Sequence, residues 1–449
     1  MISLEIESTK ETVLEHVKKE GVKFVEMQFS DIMGTVKSIS IPSESLEEAM
    51  DEGVSIDGSS ILGYSTVDES EFMGIPVLDS LQIYPWTCGT DQKTARLVCK
   101  IFHHDGNRFQ GDPRLVLERA TEKAKKMGFI CNVGPEMEFF LLNQEEILNG
   151  IPRAYDKGRY FDLMPLDQGE KVRKEIVTHF NRMGFHIKAS HHEVAPGQQE
   201  VILRHGDALS LADRVMTMKF GIRTIAKLNG LHATFMPKPF QDDNGNAMHV
   251  HQSLAHLNGE NAFDDPDGKF GLSDIALNYL GGLLAHAKET CAVLTSHINS
   301  YRRLMPGYEA PCYIVWANRN RSALIRVPYL RGKGTRLEHR NPDPAGNPYL
   351  QFAVMLSAGL DGISKGIHPP QPVEKDVYSM SSEERTALGV NNLPENLGDA
   401  LDQIEDSEFM KETLGDHIFQ QYSSIKKMEW HEFKRQVTPW ELERYIMSV

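Results

Sequence analysis

Two carboxylates stand two residues apart inside an apolar segment, and this pattern constrains the fold more than any other feature of the sequence. Glu136 and Glu138 lie within residues 129–142, which are otherwise rich in Phe, Leu, Ile and Val and predict a buried strand. Because the side chains of a strand alternate between its faces, both carboxylates point the same way, about 7 Å apart. A single Glu on a solvated strand edge is ordinary, but two on one face of an apolar strand favour a site for a hard cation.

His249 and His251 show the same spacing on a second predicted strand, residues 249–254. Alone, such a pair is weak evidence, because a hydrogen-bonded structural His is common. The preceding residues 238–247 are polar, include a basic side chain and suit a loop that wraps backbone N–H groups around an anion. Glu193 and Glu200 flank a Pro-Gly turn that could bring them together, although their spacing alone does not require it.

Residues 301–340 are far more basic than the rest of the chain. They hold nine Lys or Arg and two acidic residues, a local charge of +7 in a chain whose net charge is −15. The overall acidity argues against a nucleic-acid-binding protein. Pro and Gly turns separate the arginines, so small molecules with several carboxylate or phosphoryl groups fit them better than nucleic acid does. The sequence contains neither a GxxxxGK[ST] loop nor a GxGxxG motif, so arginines and divalent cations must handle any phosphate.

The chain divides into a strand-rich first part and a longer mixed part. Residues 8–11 have capping-box spacing and predict a helix that stops at Gly21, and residues 23–29 and 36–41 predict a hairpin. Residues 56–76 predict a long loop. From the N-cap and Pro at Asp112-Pro113, strands and helices alternate as far as residue 365, and the last fifty residues predict small helices.

The location predicted from the sequence is the cytoplasm. Five cysteines are scattered without a CxxC pair, which fits reduced thiols better than disulfides or a thiolate zinc site. Residues 1–21 lack the apolar core of a secretory signal. No run approaches the roughly 18 apolar residues that a membrane span needs, so we expect no membrane partner.

Several long segments, in order, resemble type I glutamine synthetases, and the resemblance runs essentially from end to end. It is carried by the following segments: Asp57-Gly58-Ser59-Ser60, Gly134-Pro135-Glu136-Met137-Glu138-Phe139, residues 238–253, residues 299–311, Asn320-Arg321-Ser322-Ala323 and residues 336–348. It implies an α+β fold with a small N-terminal β-grasp-like domain, residues 1–107, and a large α/β catalytic domain of the glutamine synthetase/guanido kinase type, residues 108–449. The implied reaction is ATP-dependent ligation of glutamate and ammonia to glutamine through a γ-glutamyl phosphate.

The resemblance also implies a role for individual residues. Glu138, Glu193 and Glu200 match the ligands of one Mg²⁺ or Mn²⁺ ion, and Glu136, His249 and Glu338 match those of a second. Glutamate-binding positions match Asn244, Gly245, Arg303 and Arg340, and ATP-side positions match His251, Ser253, Arg326 and Arg336. Arg321 matches a residue that meets the transferred phosphoryl group, Asp57 one that takes a proton from ammonium, and Glu309 a flap residue that shields the intermediate.

The family resemblance extends to assembly and regulation. It implies a homo-dodecamer of two hexameric rings in which the Asp57 loop serves the neighbouring subunit, and it is compatible with a PII-type protein or 2-oxoglutarate as regulator. Thr66 stands where some members carry a feedback-sensing arginine. Residues around Tyr378 differ from those of the adenylylated subdivision, so we expect the unmodified alpha type.

Two other functions are weighed against glutamine synthesis. The first is a γ-glutamyl ligase of the same family that uses another amine; Asp57 and Glu309 argue for ammonium, because a carboxylate-lined pocket suits a small cation. The second is a ring assembly without catalysis, which the complete set of matching residues argues against.

Overall fold

The structure, a computed structural model, describes residues 8–65 and 70–449. Thr66 therefore lies outside the described residues. The α-helices in chain order are α1 (Lys10–Glu20), α2 (Leu46–Glu52), α3 (Pro113–Lys126), α4 (Gln144–Leu148), α5 (Glu170–Arg182), α6 (Ala208–Leu228), α7 (Asp274–Ala285), α8 (Ala287–Leu294), α9 (Ser300–Arg303), α10 (Pro348–Lys365), α11 (Ser382–Ala387), α12 (Leu397–Glu405), α13 (Glu408–Leu414), α14 (Asp416–Lys434) and α15 (Pro439–Tyr445).

The strands in chain order are β1 (Phe24–Ser30), β2 (Val36–Pro42), β3 (Val54–Asp57), β4 (Glu71–Ile83), β5 (Thr94–His103), β6 (Phe129–Asn143), β7 (Ile187–His192), β8 (Gln198–Leu203), β9 (Gly206–Asp207), β10 (Leu231–Thr234), β11 (Met248–His256), β12 (Tyr313–Ile314), β13 (Trp316–Ala317), β14 (Ile325–Arg326), β15 (Leu337–His339) and β16 (Asn391–Asn392). The mixture of helices and sheets agrees with the predicted α+β class.

A five-stranded sheet with the order β2-β1-β5-β4-β3 forms the N-terminal part. β1 and β2 form the predicted antiparallel hairpin, and β1 runs parallel to β5 in the middle of the sheet. Apolar side chains of α1 and α2 join those of the sheet in one hydrophobic core. The predicted small strand-rich domain is therefore present.

Three predictions for local structure were wrong. The capping box of α1 is formed by Thr9 and Thr12, one residue later than predicted, because the Thr9 N–H donates to Thr12 Oγ1 at 2.9 Å. The two ends of the predicted loop over residues 56–76 are strand, since Glu71 onward pairs with β3 and β5 in spite of its Gly and Pro. The chain end is not only small helices, because α14 has 19 residues.

A second sheet carries the large domain, and its main path has the order β13-β14-β15-β11-β6-β8-β7. β6 is its central strand, with β11 on one side and β8 on the other, both antiparallel to it. Buried helices pack against this sheet in a second and larger hydrophobic core, which includes α10 almost entirely. Among the described residues, no helix has both the length and the apolar character required to cross a membrane.

Candidate active site

Strand pairing places a row of functional side chains across the middle of the large sheet. On β11, His249 lies opposite Glu136 of β6, and on β8, Glu200 lies opposite Glu138 of the same strand. His191 on β7 continues the row opposite Glu200. The two carboxylates of β6 therefore reach partners on both sides, as their shared face predicted.

The row continues across β15 and β14. Glu338 lies opposite His251, and Arg326 lies opposite Glu338. Glu338 is 1% exposed and accepts hydrogen bonds from Arg340 Nη1 at 2.7 Å and from Arg326 Nε. Burial raises the pKa of Glu338, but the charge of Arg340 and neighbouring cations outweigh it and lower the pKa to about 2. This carboxylate is therefore ionised at neutral pH.

One group of potential metal ligands gathers around Glu136. Glu136, His251 and Glu338 each offer a ligand atom, and these atoms lie within 4.8 Å of one another. His251 Nε2 is 2.9 Å from Glu136 Oε1, while its Nδ1 lies 3.1 Å from Arg336 Nε. His249 Nδ1 lies 3.6 Å from Glu136 and 3.8 Å from Glu338. Both imidazoles thus share one face and approach the same carboxylate.

A second group lies on the other side of β6. His191, Glu193 and Glu200 offer ligand atoms within 4.8 Å of one another, and His191 Nε2 is 2.6 Å from Glu200. Glu138 Oε2 accepts the Ala247 N–H at 2.8 Å. Burial and the charge of Glu200 raise the pKa of Glu193 to about 7, and burial with the charges of Glu193 and Glu200 raises the pKa of Glu138. The negative charge is in excess here, so the donor set fits divalent cations.

Two cavities meet at Glu136 and Ile202, which line both of them. The first, about 530 Å³, is lined by all of these potential metal ligands except His251, and also by Tyr308 and Glu309. The second, about 510 Å³, is lined by Ser253 and the following residues: Gly134, His205, His251, Lys333, Gly334 and Arg336. A ligand in one cavity can therefore approach a ligand in the other at the Glu136 carboxylate.

Five of the eight arginines of the basic stretch line these cavities. Arg303, Arg321, Arg326 and Arg340 line the first, and Arg336 with Lys333 lines the second. Arg303 is fixed by hydrogen bonds from its two Nη atoms to the carbonyl oxygens of Arg340 and Asn341, each at 2.8 Å. The buried Nε of Arg340 has no partner among the described residues. Such guanidinium groups can bind an anionic ligand.

Two loops enclose the mouth of the first cavity. Asn244 and Gly245 line it from the loop before β11, and Glu309 lines it from the loop after α9. The Lys238 ammonium lies 3.5 Å from the centre of the Tyr308 ring, so the two loops touch. Glu309 has φ = 57°, an uncommon left-handed conformation for a residue other than Gly, and its carbonyl oxygen accepts from Arg340 Nη2 at 3.3 Å.

Asp57 is the one predicted catalytic residue that does not line either cavity of its own chain. It ends β3 in the small domain and is exposed, with Oδ1 accepting the Ser59 N–H at 2.9 Å. Hydrogen bonds from Ser59 lower the pKa of this carboxyl group. Asp57 is therefore an ionised side chain available to another molecule.

Sequence reasoning missed several residues that line the first cavity. His191 could have been found, since it precedes Glu193 by the same two-residue spacing as the other pairs. Tyr160 and Phe161 lie between helices in a long irregular segment without a recognisable pattern. Tyr160 lines the cavity together with Arg321. Tyr378, predicted to be unmodified, donates its hydroxyl to the Ala310 carbonyl oxygen beside the Glu309 loop.

Family models match nearly the whole chain. A model described as glutamine synthetase, catalytic domain, matches residues 110–445, and one described as glutamine synthetase, beta-Grasp domain, matches residues 21–104. The predicted β-grasp domain and large catalytic domain are confirmed by these matches.

Curated proteins and a solved structure resemble the chain over the same length. A protein named glutamine synthetase from Methanosarcina mazei is 48% identical over 446 residues, 99% of each chain, and one from Clostridium saccharobutylicum is 47% identical over 438 residues, 98% of each chain. A solved structure described as a GmaS/ADP complex superposes with a TM-score of 0.88 at 30% identity, covering 97% of this chain and 99% of that one.

Proposed function

The chain belongs to the glutamine synthetase family, and from this membership we propose how its residues join glutamate and ammonia at the expense of ATP. The enzyme catalyses the ATP-dependent synthesis of glutamine. The single observation that carries the proposed mechanism is the row of carboxylates and imidazoles across the large sheet, which joins two cavities lined by arginines.

Two divalent cations, Mg²⁺ or Mn²⁺, would be held by this row. We assign Glu138, Glu193 and Glu200 to one ion, and Glu136, His249 and Glu338 to the other. Two carboxylates 4 Å apart repel each other by about 4 kcal/mol at an effective dielectric constant near 20, so a cluster of five requires positive charge. When bound, the ions supply charge neutralisation for the phosphate oxygens.

Metal affinity should therefore depend on pH in the neutral range. Glu193 has its pKa raised to about 7, so its neutral form dominates below pH 7 and a cation must displace that proton. We expect the affinity for Mn²⁺ to rise about tenfold per pH unit below pH 7 and to level off above it. Mn²⁺ titration followed by electron paramagnetic resonance between pH 5.5 and 8.5 measures this. If the affinity for Mn²⁺ did not change over that pH range, the assignment of Glu193 would be contradicted.

The second cavity is assigned to ATP. His251, Ser253 and Arg336 line it, and Arg326 stands at the boundary of the first cavity beside Glu338. Arg336 donates toward His251 Nδ1, which orients this imidazole with its Nε2 toward Glu136. A nucleotide bound here places its terminal phosphate toward Glu136, where the cavities meet.

Glutamate is assigned to the first cavity. Arg303, held rigidly by its two carbonyl contacts, would bind the α-carboxylate together with the loop at Asn244 and Gly245. Arg340 would meet the γ-carboxylate. The γ-carboxylate oxygen then attacks the terminal phosphorus of ATP, ADP leaves, and the guanidinium groups of Arg321 and Arg340 stabilise the charge on the transferred phosphoryl group.

Gly245 tests the glutamate assignment. A Cβ at this position would lie 2.2 Å from the Pro237 carbonyl oxygen and 3.2 Å from Arg303 Cγ, and the backbone oxygen cannot give way. Gly245→Ala should therefore displace the loop against Arg303 and raise the KM for glutamate about tenfold or more, with little change in the KM for ATP. Gln241→Ala, an exposed change in the same loop, is the matched control. Equal effects on both substrates would contradict the assignment.

The second half of the reaction needs a proton acceptor and an active site from which water is excluded. We assign proton removal from ammonium to Asp57 of a neighbouring subunit, because this ionised side chain does not reach the cavity of its own chain. Ammonia then attacks the γ-carbonyl carbon and phosphate leaves. Glu309, at the cavity mouth, would shield the acyl phosphate from water.

Assembly, location and regulation stay predictions. We propose the homo-dodecamer of two hexameric rings, with active sites between subunits, because Asp57 requires a partner. We also propose a domain boundary between residues 107 and 108, a cytoplasmic location and an unmodified Tyr378 of the alpha type. Regulation by a PII-type protein or 2-oxoglutarate is a further proposal from the sequence.

Formation of γ-glutamyl hydroxamate from glutamate, hydroxylamine and ATP tests the chemistry directly. We expect product only when Mg²⁺ or Mn²⁺ is present, and we expect ammonia to be used with higher kcat/KM than methylamine or a diamine. A preference for a larger amine would favour the related γ-glutamyl ligase, and no ATP turnover under any of these conditions would favour a ring assembly without catalysis.

A further inference from the structure

The Glu309 loop, residues 306–309, has little support from the backbone of the rest of the chain. Pro306, Gly307 and Glu309 are exposed. No hydrogen bond between backbone groups of the described chain involves residues 306–311, which lie outside every helix and strand. A segment with unpaired backbone groups opens easily. The position of this loop at the mouth of the first cavity therefore depends on contacts made by side chains.

Side chains outside the loop donate hydrogen bonds to two successive carbonyl oxygens. Arg340 Nη2 donates to the Glu309 oxygen at 3.3 Å, and the Tyr378 hydroxyl donates to the oxygen of Ala310, the residue that follows the loop. The thiol of Cys312, a weak donor, is 3.5 Å from the same Ala310 oxygen. Arg340 lines the first cavity and is assigned to glutamate, whereas Tyr378 lines neither cavity. Tyr378 therefore contacts the end of the loop from outside the site.

Tyr378 lies in residues 373–380, here called the bridging segment, which is itself fixed. Asn320, next to Arg321, donates from Nδ2 to the Lys375 carbonyl oxygen at 2.6 Å. The bridging segment is thus attached at one point to the loop that carries Arg321 and at another to the end of the Glu309 loop. Two loops that line the first cavity are joined behind it by one segment.

Apolar packing also holds the bridging segment in place. Val377 and Met380 are buried and share a small hydrophobic core with Tyr313. The Tyr378 ring packs against this core, with its centre 6.3 Å from that of the Tyr313 ring. Burial raises the pKa of Tyr378, so its hydroxyl keeps the proton that it donates at neutral pH. The donor is therefore positioned by groups other than the loop it contacts.

We propose that Tyr378 is a positioning residue, whose hydroxyl holds the Glu309 loop closed over the γ-glutamyl phosphate. This inference rests on the proposed function and adds a residue that lines neither substrate cavity. When the loop is open, water attacks the γ-carbonyl carbon: a new C–O bond forms, the C–O bond to the phosphate group breaks, phosphate leaves and a proton passes to solvent. Glutamate is regenerated, and one ATP has been hydrolysed to ADP and phosphate without product.

A Tyr378→Phe variant of the full assembled protein tests this role in ¹⁸O-labelled water. Attack of water on the acyl carbon places labelled oxygen in the γ-carboxylate of glutamate, whereas direct hydrolysis of ATP labels phosphate alone. The variant keeps the ring and loses only the hydroxyl, and one hydrogen bond changes an equilibrium about twofold to tenfold. With Mg²⁺, ATP, glutamate and ammonium, we expect the labelled glutamate per glutamine formed, measured by mass spectrometry, to rise by that factor.

Tyr313→Phe is the matched control, since Tyr313 belongs to the same small core and lines neither active-site cavity. Its labelling should equal that of the wild type. If the wild type forms glutamine but Tyr378→Phe labels glutamate no more than the wild type does, the inference alone is overturned. An equal rise in both variants, or synthesis and labelling that fall together in Tyr378→Phe, would also overturn it. A wild-type protein that forms no glutamine would overturn the proposed function, and this inference with it.

Discussion

In a Glu338→Gln variant, the kcat of ATP-dependent glutamine synthesis is expected to fall about a thousandfold. Glu338 is 1% exposed, carries a negative charge at neutral pH because its pKa is lowered to about 2, and lies 3.8 Å from His249 Nδ1. Gln keeps the shape but removes the charge that both arginines and the proposed metal site use. Steady-state assays at saturating Mg²⁺, together with Mn²⁺ titration, measure the loss.

The effect has to be separated from simple instability. Removing one partner of a buried ion pair costs about 3–5 kcal/mol, because Arg326 and Arg340 then lose their carboxylate. Glu289→Gln is the matched control, since Glu289 also pairs with a buried side chain, His286, but lies outside both cavities. A folded Glu338→Gln enzyme with full activity and two bound Mn²⁺ ions would remove this residue from the metal site.

An Asp57→Ala variant is expected to lose the use of ammonium while it keeps phosphoryl transfer. Asp57 belongs to the small domain and lines neither cavity of its own chain. Glutamine formation should fall by about a hundredfold to ten-thousandfold, the range of general base catalysis, while glutamate-dependent release of ADP persists. Asp51→Ala is the control, an exposed acid on α2 of the same domain. Equal losses in both activities would contradict the assigned role.

Mixed assemblies show whether Asp57 acts across subunits. Asp57→Ala and Glu338→Gln chains are each expected to be inactive alone, but in a co-expressed equal mixture about a quarter of the interfaces join an intact Asp57 to an intact Glu338. Activity near a quarter of the wild-type value is therefore expected, with hybrid formation checked by native mass spectrometry. Hybrids without activity would place Asp57 in the site of its own chain.

The shared faces of the acidic and histidine side chains could be predicted from sequence because strand periodicity is simple. Residues two apart share a face, so Glu136 with Glu138 and His249 with His251 were recognised from spacing alone, and the structure places each pair on one face. His191 and Glu193 have the same spacing, but Glu193 lies just beyond the end of β7, so strand periodicity does not fix its direction. Individual roles came from the family resemblance and not from spacing.

Other features depend on contacts that local sequence does not encode. β4 forms through residues rich in turn formers, because pairing with β3 and β5 outweighs their weak strand propensity. Tyr160 reaches the cavity from an irregular segment whose path is set by tertiary packing.

The claim on which the mechanism depends is that two divalent cations occupy the row across the sheet. Crystals grown with Mn²⁺ and ADP, measured at the manganese absorption edge, test it most directly. We predict two anomalous peaks, one bounded by Glu138, Glu193 and Glu200 and one bounded by Glu136, His249 and Glu338. Well-ordered crystals with ADP bound and no manganese between these side chains would contradict the account.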